Sequence, residues 1–109
     1  MAGNQYGFGG GPAALPVLDA AFMARSYDLS IAAAQVSNIT TSEQTFTLTG
    51  LTTGDAVFVT KPTHQAGLGV VNARVSATDT LAITYMNVTG SGITPTTETY
   101  KVVAVRVAA

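Results

Sequence analysis

From Ser26 to the C-terminus, apolar residues recur at every second position in short runs punctuated by glycine, proline, Asp or Asn, the pattern of half-buried β-strands. Tyr27 to Gln35 predicts a first strand, with Tyr27, Leu29, Ile31 and Ala33 on one face and Asp28, Ser30 and Ala32 on the other. Glu43 to Thr49 is the clearest alternation: Phe46 and Leu48 point inward and threonines outward, as in an antiparallel strand with one wet side. Ala56-Val57-Phe58-Val59-Thr60 is nearly all apolar, which predicts cover on both faces, by the second sheet and the N-terminal segment or by another subunit. Leu68 to Ala77 resumes, with Val71, Ala73 and Val75 on one side and Asn72, Arg74 and Ser76 on the other; Thr78-Asp79 turns the chain into Leu81 to Met86. The last strand runs from Glu98 to Val107, with Tyr100, Val102 and Ala104 on one face and Val103, Val105 and Val107 on the other. Six short strands, or seven if the N-terminal segment or residues 36–40 add one, predict an all-β, two-layer antiparallel β-sandwich. Its topology is Ig-like or jelly-roll-like, since periodicity does not encode strand order. Phe46, Leu48, Val57, Val59, Leu81, Ile83, Tyr100 and Val102 form the expected core.

The first 25 residues follow another rule. Gly3 to Pro12 has no period and several glycines, with Tyr6 and Phe8 as its only large side chains. Glycine costs more backbone entropy to order than any other residue, so this stretch predicts an extended arm that something outside must fix. Ala13 to Arg25 is apolar; Asp19 to Arg25 is long enough for two helical turns, but Pro16 argues against a longer helix. The division expected is an arm over residues 1–25 and a sandwich over 26–109. Tyr6, Phe8, Leu15, Val17, Leu18, Phe22 and Met23 are the arm's candidate interface residues, anchoring the sandwich to a neighbouring subunit.

Composition narrows the function. The chain has 109 residues, room for one core, and only 10% of them are charged against about 25% in ordinary soluble domains. Five basic and six acidic side chains give a net charge of -1, no field for a phosphate backbone, so nucleic acid is not an expected partner. A surface that polar and that uncharged repels its own copies weakly and suits a chain packed in an assembly. There is no cysteine, hence no disulfide framework or thiolate metal site. No apolar run approaches the roughly 18 residues a membrane helix needs, and the N-terminus lacks a basic segment leading into an apolar one, so the expectation is a cytoplasmically made protein with no membrane partner.

Catalytic chemistry is thin. His64 is the single histidine; it is expected in an exposed loop, the sharper reading being an ion held on a threefold axis with its symmetry mates. Asp55 and Asp79 sit beside turns, where an aspartate accepts backbone N–H groups, and Asp19, Asp28, Glu43 and Glu98 are scattered. Gly7 to Gly11 follows no strand and has no lysine, unlike a phosphate-binding loop. The two Asn-x-Thr triplets at Asn38 and Asn87 read as Thr-rich turns. No catalytic, cofactor or metal residue is expected, and the chain does not read as an enzyme. Arg74, between Asn72 and Ser76 on a sheet face, is either an intersubunit contact or an intrachain partner of Glu98 or Asp79.

Three stretches carry a resemblance: Gly54-Asp55-Ala56-Val57-Phe58-Val59-Thr60-Lys61-Pro62; Gly67 to Leu81; and Asn87-Val88-Thr89-Gly90 with Thr94-Pro95 and Glu98-Thr99-Tyr100. Over roughly residues 43–106 the chain resembles small β-sandwich virion proteins of tailed bacteriophages, especially those of marine bacteria and cyanobacteria: capsid decoration (cement) proteins and related knob or fibre domains. The resemblance implies a structural protein on the outside of a phage head, with the major capsid protein as partner and a homo-oligomer, a trimer, as its state. It implies no catalytic residue. The rival reading is a receptor-binding or adhesion module presenting Lys61 to Gly67 or Asn87 to Thr97 to a carbohydrate.

Overall fold

The structure is a computed structural model and describes residues 22–107. Tyr6, Phe8, Leu15, Val17 and Leu18 of the arm lie outside the described residues. Six strands follow in order: β1 (Phe22–Ile31), β2 (Thr40–Thr47), β3 (Ala56–Thr60), β4 (Leu68–Ala77), β5 (Thr80–Asn87) and β6 (Glu98–Val107). They form two antiparallel three-stranded sheets, β1-β6-β3 and β2-β5-β4, packed face to face as a two-layer sandwich. Every connection switches sheets except the β4–β5 hairpin, whose two-residue turn has Asp79 at φ 59°, a conformation Asp tolerates better than most residues.

The core is made of the inward positions of both sheets. Leu48, Leu81, Ile83, Tyr100 and Val102 are buried, while Phe46, Val57 and Val59 are half-buried against them. At the centre the two middle strands meet through a hydroxyl pair, Tyr85 Oη to Tyr100 Oη at 2.9 Å, which lets two aromatic bodies fill the interior while each polar tip is satisfied. Burial pushes both phenols' pKa values up, so the pair stays neutral.

Four expectations are corrected. Phe22 to Arg25 form the start of β1, paired with Val107 to Ala104, so the segment read as arm or helical turn enters the sheet four residues before Ser26. The same strand ends at Ile31: beyond it the Gln44 side chain takes the place of a strand, accepting from Ala34 N–H at 2.7 Å and donating to Ala34 C=O at 3.0 Å. Val71 does not share a face with Ala73 and Val75, because a bulge between Val70 and Asn72 adds one residue to β4 and sends Val71 outward. Finally, β3 alternates: Val57 and Val59 turn in, and Ala56, Phe58 and Thr60 are exposed, so the second face expected to be covered is open among the described residues.

The loops are tied down by backbone and side-chain bonds. Val36 and Ile93 exchange backbone bonds at 2.8 and 3.0 Å, so the extra strand expected near 36–40 is a single bridge. Asn87 is fully buried and spends its whole amide, donating to Val36 and Ser91 carbonyls and accepting from Thr89 N–H and Oγ1; the turn expected at that triplet is present, built on the Asn87 side chain.

Candidate interface on the β1-β6-β3 sheet

The outer faces of the two sheets differ. On β2-β5-β4, cross-strand register brings Glu43, Thr84 and Asn72 into one row and Thr45, Ala82 and Arg74 into the next. Arg74 Nε and Nη2 donate to the two Glu43 carboxylate oxygens at 2.8 and 3.0 Å, a bidentate pair across three strands. That hydrogen bonding holds the Glu43 carboxyl below its ordinary pKa. Arg74 is therefore an intrachain partner, of Glu43 and not of Glu98 or Asp79. These two rows are mostly polar, but the row of Thr41, Met86 and Gly69 ends the face in an apolar group, with Met86 exposed near Ile39 and Val88.

On β1-β6-β3 the register gives Ala24, Val105 and Ala56 in one row and Ser26, Val103 and Phe58 in the next, followed by Asp28, Lys101 and Thr60. The first two rows are apolar but for Ser26, and the rows beyond are polar, with the Lys101–Asp28 ion pair and then Ser30 opposite Thr99. Phe58 is 63% exposed and Val103 37%. A ring exposed to that extent beside valines and alanines is the kind of contiguous apolar surface that marks an interaction site. Its pattern arises because β3 and β6 are apolar at both alternations, while only one alternation has a core to enter.

One end of the same sheet is braced by charge. Asp55 has no exposed side-chain surface and accepts from Arg106 Nε and Nη2 at 2.7 and 2.9 Å, from Arg25 Nη2 at 3.0 Å and from Thr52 N–H at 3.0 Å. The hydrogen bonds from Arg106, then that from Thr52, hold its carboxyl far below the usual range against the opposing effect of burial. Arg25 and Arg106 also donate to Gly50 C=O, at 2.7 and 3.0 Å. Gly50 sits at φ 106°, and a Cβ there would meet Tyr27 Oη at 3.2 Å and Arg25 Nη1 at 3.3 Å, so only glycine lets the loop approach both side chains. The clamp joins β1, β6 and the β2–β3 connection where β1 starts. The turn role expected for Asp55 is present, but the two arginines, 30 and 51 residues away in sequence, carried no local signal.

At the opposite end, Gln65 stitches two loops, donating to Thr94 C=O at 3.1 Å and accepting from Thr96 N–H at 2.8 Å, and Lys61 pairs with Glu98 at 3.0 Å. His64 is exposed beside them. Among the described residues no three His, Cys, Asp or Glu side chains gather as an ion would require.

Of the candidate interface residues, Phe58 and Met23 are exposed, Phe58 on the apolar face, while Arg74 lies on the opposite sheet and does not join it. Phe22 is placed on β1 by its backbone pairing with Val107. Ile39, Met86 and Val88 are exposed apolar residues the sequence pattern did not single out. Comparison with family models, with curated proteins and with solved structures returns no match for this chain.

Proposed function

We propose that the protein is a structural virion component, a capsid decoration (cement) protein that seats its sandwich on the outside of a phage head and stabilises the shell through protein contacts. The observation that supports this reading is the apolar patch of Phe58, Val103, Val105, Ala24 and Ala56 on the β1-β6-β3 face, suited to a protein surface, while the centre of the β2-β5-β4 face carries the Glu43–Arg74 pair and threonines. The resemblance over residues 43–106 supplies the virion; the two faces supply the orientation, with Phe58 toward the major capsid protein. Burying the exposed part of Phe58 is worth roughly 2–3 kcal/mol in apolar area, a hot-spot-sized contribution. The nested strand order, with β1 against β6 and β2 against β5, is the jelly-roll choice of the two topologies, reduced to six strands. That fold serves shells and lectins alike and does not decide function. A trimer about local threefold positions of the shell is the oligomer that goes with this role.

The test is reconstitution on undecorated heads. Wild-type protein should saturate them, and Phe58→Asp should lower occupancy at least tenfold while remaining folded; undiminished occupancy rejects the role of this face.

A second reading has one observation in its favour. The loops 61–67 and 88–97 are stitched into a single tip by Gln65 and by the Lys61–Glu98 pair, the preorganisation expected of a receptor-binding or adhesion module. Binding to host-surface glycan, abolished by Gln65→Ala and untouched by Phe58→Asp, would favour it.

A further inference from the structure

Every basic side chain of this protein is spent within its own fold. The sequence has five Lys and Arg residues, and all five pair with carboxylates of the same chain: Arg25 and Arg106 with Asp55, Lys61 with Glu98, Arg74 with Glu43, and Lys101 with Asp28. Asp79, the other carboxylate among the described residues, accepts the Gly50 N–H at 2.8 Å. A partner that recognised the domain by charge would have to take a group out of one of these pairs and strand its mate. On the β1-β6-β3 face the outward ionic side chains are Lys101 and Asp28, opposite each other in register and paired. A charged group approaching them meets both signs a few ångströms apart, so attraction to one is offset by repulsion from the other.

The relief of the apolar patch narrows the partner further. Phe58 is 63% exposed; its neighbours two residues away along β3 are Ala56 and Thr60, and Val103 lies opposite it on β6. All three side chains are smaller than phenylalanine, so the ring stands above its surroundings as a knob. Against a flat surface a knob leaves gaps on its flanks and forfeits dispersion contacts there. An aromatic anchor contributes fully when it enters a packed, desolvated pocket.

We propose that the surface of the major capsid protein that receives the β1-β6-β3 face is an uncharged apolar hollow closed round the Phe58 ring, and that the association makes no ion pair. This inference rests on the decoration reading and states the chemistry its partner has. Binding is then insensitive to salt, and the complex forms without electrostatic steering, at about 10⁵–10⁶ M⁻¹s⁻¹.

Undecorated heads and the full-length chain test it. Occupancy followed against free protein concentration should give a dissociation constant that changes less than about twofold between about 50 mM and about 500 mM NaCl, a range over which screening of exposed charges becomes nearly complete; a larger weakening overturns the proposal. Ala56→Lys and Ala56→Glu each set one charge beside the ring at an exposed position. Both should weaken binding, by factors within about threefold of each other, because a hollow without charge rejects either sign. A gain with one sign and a loss with the other would reveal a charged partner surface and overturn it. Phe58→Tyr keeps the ring and adds a hydroxyl that a closed apolar hollow leaves unpaired, so affinity should fall at least about fivefold; unchanged affinity overturns the hollow. Thermal melts matching the parent's assign each loss to binding. Heads that take up no protein at any salt reject the decoration reading and this inference together, whereas salt-sensitive uptake rejects this inference alone.

Discussion

Replacing Asp55 by alanine removes the carboxylate that Arg106, Arg25 and Thr52 share. Arg106 loses two bonds, of 2.7 and 2.9 Å, Arg25 loses one of 3.0 Å, and the Thr52 N–H loses its acceptor at 3.0 Å. Breaking a buried ion pair by deleting one partner costs about 3–5 kcal/mol. Here the lower end applies, because the arginine side chains are 30% and 32% exposed and can rehydrate, and both keep their bond to Gly50 C=O. The expected loss is thus about 3 kcal/mol, which for a domain of this length lowers Tm by about 15 °C. Circular dichroism melts and urea titrations of parent and variant measure it. The acid limb gives an independent reading. Asp55 titrates far below its unfolded value of about 3.9, so its contribution is complete above about pH 5 and is lost as pH falls toward the folded pKa. Glu43 and Glu98, also held low, add to the same slope. Between pH 6 and pH 3 the parent should therefore lose more stability than Asp55→Ala. A variant within about 0.5 kcal/mol of the parent, or one with an identical acid slope, would refute the clamp.

Tyr85→Phe leaves the Tyr100 hydroxyl buried without its partner and should cost about 1–3 kcal/mol in urea unfolding, whereas changing both tyrosines to phenylalanine should cost less than the sum of the two single changes. Arg74→Ala breaks an exposed pair and should lower the urea midpoint only slightly at low salt, the difference shrinking in high salt. Gly67→Ala drives a Cβ into Thr89 Cγ2 at φ 82°, and should lower Tm more than Gly54→Ala, where a Cβ meets nothing. Phe58→Ser should leave thermal stability within about 0.5 kcal/mol of the parent, as its ring is 63% exposed and outside the core.

The parts of this fold that were legible in the sequence are those where the pleat meets a single core. β3, β4 and β6 fall at the expected boundaries, and Tyr100, Val102 and Ala104 are inward as their alternation requires. The misreadings have long-range causes. Phe22 to Arg25 have no alternation to announce a strand and become one because β6 extends far enough to pair with them. Thr40 and Thr41 open β2 without an apolar signal, since their partners Asn87 and Met86 lie on β5. The bulge at Val71 is invisible to period-two counting, which is why an outward valine was read as inward. In the candidate interface, Phe58 was legible because an all-apolar strand has one face too many, but the clamp of Arg25, Asp55 and Arg106 spans most of the chain and depends on the topology.

The most direct test of the account is an electron cryomicroscopy map of heads carrying the protein, at a resolution that separates strands. The account predicts sandwiches on the outside of the shell with Phe58 and the β1-β6-β3 face against the major capsid protein, and the Glu43–Arg74 face toward solvent. Heads without such density, or sandwiches seated through the β2-β5-β4 face, would contradict it.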